Sequence, residues 1–259
     1  MRKFLLYPRK LKNPCLGGAK APRLNDRTSF RASPNRGFSA FWGMLACLLL
    51  AFPLFGNDPS YAYKPLRTYQ ISVPQHAKPL IILDPGHGGT DEGAKIHYFM
   101  EKRLTLMTTL LLRKYLTEMG YRVILTRSKD VFIPLHRRVS IANNTKAVLF
   151  VSMHYNSSPS TDAHGIEIFY YSGSDHKRAQ QSKEAGNLVL KELIGQTHAL
   201  SRGVKNGNFH VIRETAMPAI LVEGGFMTNI IERSNLRDKK YLEQIAKGVA
   251  LGIDKYLKT

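Results

Sequence analysis

From residue 79 onward, short continuous apolar runs alternate with amphipathic stretches. LIILD (80–84) has the length of a buried strand. Glu101 to Met119 reads as a helix, because Leu104, Met107, Leu111 and Leu112 recur at three- and four-residue steps and Gly120 stops it. The pattern predicts a strand over YRVILT (121–126), a helix over 134–145, a buried strand over AVLFVSMH (147–154) and an alternating strand over GIEIFYY (165–171). A helix over 176–197 follows, then strands over FHVIRET (209–215) and AILVEGG (219–225). A closing helix, 239–257, carries Leu242, Ile245, Val249 and Ile253 on one face, and the charged run IERSNLRDKK before it reads as a solvated surface. Strands alternating with helices predict an α/β fold, a single domain with a central mostly parallel sheet flanked by helices on both faces. In such sheets ligands bind beyond the carboxyl ends of the strands, so the residues after each apolar run are the ones to inspect.

The N-terminal pattern differs. Residues 1–37 carry ten Lys/Arg and one acid, and Phe38 to Phe55 is an uncharged 18-residue apolar run. A basic stretch, an apolar core and the small residues Ser60-Tyr61-Ala62 describe an export signal, with cleavage after Ala62. Kept uncleaved, residues 38–55 instead anchor the chain in the membrane, at the short limit for a span. Met44 to Cys47 faintly resembles a lipoprotein box, but apolar residues continue past Cys47. Residues 63–78 read as a linker and 79–259 as one folded domain. Both cysteines, Cys15 and Cys47, precede this domain, which must therefore hold itself together without a disulfide. Beyond Ala62 the chain keeps 28 Lys/Arg against 17 Asp/Glu, a surface suited to an anionic partner in the envelope. Nucleic acid is not expected: no reading motif accompanies the charge, and an export signal points elsewhere.

The strand ends are chemically specific. The first run leads into DPGHGG and presents His87, the run over 147–154 ends on His154, and AILV ends on Glu223; the first long helix opens with Glu101. Two imidazoles and a carboxylate with one open position are the ligand pattern of catalytic zinc, and no thiolate is needed. Glycines around His87 let a backbone approach an ion closely. Rival readings of this loop fail on spacing. A dinucleotide fingerprint lacks its third glycine, since position 91 is Asp, and a phosphate loop has its lysine, Lys95, one place late.

The segments LDPGHGGTDEGA, EKRLTL, SMHYNS and RGVKNGNFHVIRETAMPAILVEGGFMTN together resemble the zinc-dependent N-acetylmuramoyl-L-alanine amidases of the amidase-3 type, over about residues 79 to 259. The resemblance implies a cell-wall hydrolase of the bacterial periplasm or envelope, acting on peptidoglycan at the amide between N-acetylmuramic acid and the L-alanine of the stem. It implies that His87, Glu101 and His154 hold Zn2+ and that Glu223 is the catalytic carboxylate. It also implies a role in cell-wall remodelling or daughter-cell separation. Two departures stand out. Tyr155 occupies a place where the family often has a small residue, with consequences expected for the substrate cleft. The 68 residues between His154 and Glu223 are accounted for by family-like elements, so no inserted regulatory helix is expected, and activity without an activator protein is.

Asn156 and Arg213 are candidate substrate contacts; Asp84 is a candidate to orient His87 from behind or, at least equally, to cap the loop. Three other readings stay open beside the amidase. One is a peptidoglycan-binding module without hydrolysis. Another is a zinc carboxypeptidase. The third adds a penicillin-sensitive D-alanyl carboxypeptidase activity, suggested by the S-x-x-K of Ser174 to Lys177 and the Lys205-Asn206-Gly207 triplet.

Overall fold

The computed structural model describes residues 78–259. The expected export segment, 1–62, and the linker up to its last residue lie outside the described residues. Among those described, no helix is long and apolar enough to cross a membrane.

In chain order the elements are β1 (Leu80–Pro85), β2 (Lys95–Ile96), β3 (Phe99–Met100), α1 (Glu101–Glu118), β4 (Arg122–Leu125), α2 (Leu135–Asn143), β5 (Leu149–Asn156), β6 (Ile166–Tyr170), α3 (His176–Thr197), β7 (Ser201–Asn206), α4 (His210–Glu214), β8 (Ala219–Phe226), α5 (Ile230–Asn235) and α6 (Lys239–Tyr256). Six strands form one sheet in the order β4-β1-β5-β8-β6-β7. The β4, β1, β5 and β8 strands run parallel; β6 meets β8 antiparallel and pairs in parallel with β7. The expected single α/β domain with a mostly parallel sheet is what the chain adopts.

Side-chain alternation divides each central strand between two cores. Leu149, Val151, Met153 and Tyr155 of β5 join Val222 of β8 and Ile168 of β6 in the larger core, which α1, α3 and α6 cover. Phe150, Ile82, Ala219 and Leu221 point the other way, under Ala142 of α2 and Val211 and Ile212 of α4. Tyr155 belongs wholly to the first face: it is buried and its hydroxyl meets Thr108 of α1. The expectation that it shapes the substrate cleft is therefore corrected.

Two elements depart from the pattern-based expectation. Residues 209–215 are not a strand; α4 occupies their centre. Val211 and Ile212, adjacent in sequence, are both buried, and the Thr215 hydroxyl donates to the Val211 carbonyl four residues back, which a turn of helix allows and a strand does not. The edge strand is instead Ser201–Asn206, a polar segment with a single large apolar residue, Val204. Edge strands are commonly polar because one side faces solvent, and that erases their hydrophobic signal. The run 231–240 is also not all solvated: Glu232 is buried and accepts from the Gly165 and Phe226 amides.

Candidate active site

Beyond Pro85 the chain turns sharply, with the Gly86 amide donating to the Met153 carbonyl at 3.0 Å. His87 sits at φ 59°, in the left-handed region, followed by Gly88 at 128° and Gly89 at 60°. A non-glycine residue there is strained and persists only when its surroundings fix it. Here Arg138 does so, donating to the His87 carbonyl at 2.6 Å and to the Pro85 carbonyl at 2.7 Å. Arg138 is in turn held by Asp84, Nη1 to Oδ1 at 2.8 Å, and Asp84 also accepts from Thr126 and Ser152. Burial opposes the charge on Asp84, but Arg138 and these hydroxyls outweigh it and lower its pKa. Of the two expectations for Asp84, bracing the loop is the one its contacts favour. It does not meet the His87 ring; it braces the His87 backbone through Arg138.

The ring has another partner. Asp91, four residues on, lies 2.9 Å from His87 Nδ1. That leaves Nε2 facing Glu101 Oε1 at 3.1 Å, and His154 Nδ1 approaches the same oxygen at 2.9 Å. The two rings stand edge to face at 4.9 Å. Glu101 is the first residue of α1, and the β2–β3 hairpin ends just before it. Its other oxygen, Oε2, accepts from the Ala94 amide at 2.8 Å, so Oε1 is the one aimed at the imidazoles.

His87, Glu101 and His154 offer ligand atoms that all lie within 4.8 Å of one another. Neutral imidazole nitrogens and a carboxylate oxygen that converge in this way need a cation or extra protons between them. Burial disfavours charge on both Glu101 and His87, yet His154 and His87 together lower the pKa of the Glu101 carboxyl, and Glu101 with Asp91 raises that of the His87 imidazole. A carboxylate on the far nitrogen of a ligating histidine is a common way to fix ring orientation and strengthen metal binding. The cradle is tight as well. A Cβ on Gly86 would fall 2.2 Å from the His154 ring, and one on Gly93 would fall 2.6 Å from Glu101 and 2.7 Å from His87. The donor set and the enforced close approach fit a zinc ion.

Glu223 completes the group. In β8 it stands in register with His154 on one side and with Glu167 of β6 on the other. Its Oε2 is buried and meets no hydrogen-bond partner among the described residues. A buried polar atom left without a partner in a folded protein asks for an explanation, and a catalytic role is one. Burial, with Glu101 and Glu167 nearby, raises the Glu223 pKa well above its ordinary value.

The other expected residues are placed differently. Asn156 donates from Nδ2 to Glu167 Oε1 at 2.8 Å, which seats it beside Glu223. Arg213 spends its guanidinium on Glu214 and Asn208 at 2.6 Å each, and is not joined to the His–Glu–His cluster. Ser174 and Lys177 are both exposed and not bonded to each other, while Lys205 pairs with Glu167. These positions do not assemble a serine nucleophile.

Sequence reasoning missed Asp91, Arg138 and Glu167. Asp91 lay inside the LDPGHGGTDEGA segment at a spacing only the loop's fold could interpret. Glu167 had a usable signal: it is the polar position between the apolar Ile166 and Ile168, and alternation puts it on the face opposite to theirs.

Comparison with known proteins agrees with this arrangement. The family model described as N-acetylmuramoyl-L-alanine amidase matches residues 81–255. N-acetylmuramoyl-L-alanine amidase CwlM of Bacillus licheniformis is 37% identical over 175 residues, covering 67% of this chain and 66% of that one. LytC of Bacillus subtilis is 31% identical, covering 79% of this chain and 40% of its own length. The chain thus spans just under two thirds of the first relative and well under half of the second. Among solved structures, the catalytic domain of CwlV from Bacillus (Paenibacillus) polymyxa var. colistinus is 38% identical, with a TM-score of 0.65, and covers 70% of this chain and 99% of that one. The CwlD amidase of Clostridioides difficile, solved with the GerS lipoprotein, is 32% identical with a TM-score of 0.66, covering 70% and 99%.

Proposed function

Because the chain belongs to the N-acetylmuramoyl-L-alanine amidase family, we propose that it is a zinc-dependent peptidoglycan hydrolase that cuts the amide between N-acetylmuramic acid and the stem's L-alanine. The observation that carries the reading is the unpartnered, buried Glu223 Oε2 on the strand next to His154. His87, Glu101 and His154 would hold the ion. Bound there, zinc supplies a Lewis acid for the scissile carbonyl and acidifies water towards neutral pH.

The chain's own groups do the rest. Glu223 takes a proton from the attacking water as its oxygen adds to the carbonyl carbon. When the C–N bond breaks, Glu223 gives that proton to the departing alanine nitrogen. General acid–base help of this kind contributes about 10² to 10⁴ in rate. Burial beside Glu101 and Glu167 raises the Glu223 pKa, which favours the protonated form that hands its proton to the leaving nitrogen. A dication against Glu101 offsets the repulsion from that side. Asp91 holds the His87 ring, Arg138 holds its backbone, and Asn156 stands ready beside Glu223.

An envelope substrate fits an exported chain, with residues 38–55 as signal or anchor. The long element between His154 and Glu223, α3, packs against α6 on the larger core, on the sheet face opposite His154 and Glu223; this supports activity without an activator protein. The test is to incubate the full chain with muropeptides, with zinc and with chelator, and to weigh the products. Free stem peptide beginning at L-alanine, lost with chelator, is expected. Zinc bound with muropeptides untouched would favour a binding module, and loss of a terminal D-alanine alone would favour a carboxypeptidase.

A further inference from the structure

We propose that Arg202 and Lys205 of β7 form a carboxylate-binding subsite for the stem peptide, reading a free carboxyl on the residue after L-alanine. This rests on the amidase reading above. Four neighbouring strands carry the argument in a row: His154 on β5, Glu223 on β8, Glu167 on β6, and the two cations on β7. Lys205 is the register partner of Phe169, two residues from Glu167, so it shares the site face.

Glu167 builds the base of this subsite. Its side chain is 7% exposed, yet Arg202 Nε (3.0 Å) and Lys205 Nζ both bond its Oε2, while Oε1 takes Asn156. One buried carboxylate thus gathers two cations and leaves a surplus positive charge. Neither cation is used up. An ammonium has three donors and a guanidinium five. Lys205 gives one to Glu167; Arg202 gives Nε to Glu167 and Nη1 to the His164 carbonyl. Their side chains are 41% and 33% exposed, so the remaining donors reach solvent at the rim. Arg202 is further seated over the Phe226 ring at 4.9 Å.

The reach is right. Adjacent strands lie about 4.8 Å apart, so the cations gathered on Glu167 stand roughly 5–10 Å from the Glu223 column. Successive α-carbons of a peptide are about 3.8 Å apart, which puts a carboxyl on the second stem residue ~7 Å from the scissile nitrogen. A substrate cut at Glu223 and running towards β7 delivers its first free carboxylate to this pair. Bonds between ionised partners are the strong ones, and so discriminate acid from amide.

Two synthetic N-acetylmuramoyl tripeptides decide it, identical except that the second residue's carboxyl is free in one and a carboxamide in the other. The zinc-loaded full chain is expected to favour the acid about tenfold or more in kcat/KM, through KM. Lys205→Gln and Arg202→Gln should bring the acid-to-amide ratio of kcat/KM near one, and Lys205→Arg should retain the preference. Binding of both peptides to Glu223→Gln, which holds them uncut, gives the same comparison without turnover. Equal affinity for both peptides in the native protein overturns the subsite, as do variants that lose both substrates alike, because the pair would then only neutralise Glu167. Hydrolysis of neither peptide would instead remove the amidase reading, while the binding arm still tests the subsite.

Discussion

The two faces of the central sheet are made by the same strands and behave as different materials. On the face under α1, α3 and α6, β5 and β8 are apolar along their length, and the single polar atom there, the Tyr155 hydroxyl, finds Thr108. The opposite face starts apolar, with Phe150, Ala219 and Leu221, and turns polar at its carboxyl end with Ser152, His154, Glu223 and Glu167. Only the short α2 and α4 cover its apolar part. One face holds the strands in place so that the other can carry charges that would be costly in a closed core. Substitutions on the first face should therefore cost stability and spare chemistry, and at the polar end of the second the reverse.

The sharpest way to break that division is His154→Ala. It should abolish zinc binding and hydrolysis together while the circular dichroism spectrum stays native. Glu223→Gln should lower kcat about 10² to 10⁴-fold with zinc content unchanged, measured by metal analysis beside turnover. Activity surviving in that variant would end the assignment of Glu223.

Asp84→Asn tests the one place where the polar face is structural. It strands the buried Arg138 guanidinium and should cost about 3–5 kcal/mol in denaturant unfolding. The pH dependence has a definite sign. Asp84 is lowered in the fold, so its contribution is full above the ordinary carboxyl value near 4 and fades as pH falls through the lower folded value. The gap between native protein and Asp84→Asn should close only in that acid range. Met153→Ala, on the apolar face, should cost about 2–5 kcal/mol and leave the zinc bound per folded molecule unchanged. Smallest is Asp91→Asn, which loosens the His87 ring and should weaken zinc affinity about 10–100-fold in a competition titration.

The same contrast explains what could be read from sequence. The strands of the apolar face announced themselves, because burial on both sides demands the unbroken runs LIIL and VLFV. His87, His154 and Glu223 stood out because each follows or ends such a run, where the fold predicts a site, and Glu101 because it opens the first long helix. The β7 strand was not legible: an edge strand needs few apolar residues, and SRGVKN has one large one. The α4 error has the same root, since a five-residue helix offers too few positions to separate its period from alternation. Asp84 was noticed, with orienting His87 and capping the loop as alternatives. Sequence alone could not choose between them, because the link to the loop runs through Arg138, 54 residues away.

The order of the strands also sets when the site comes into being. Glu101 and His154 are separated by 53 positions in the chain, and Glu223 arrives on β8, which inserts between β5 and β6 although it follows both. Contacts this distant in sequence form late, after the entropy of closing the intervening chain has been met. Until β8 is home, the sheet has a gap at its centre and His87, Glu101 and His154 lack Glu223 beside them. On the proposed roles, an unfinished or unfolded chain is inert, and hydrolysis reports a completed fold.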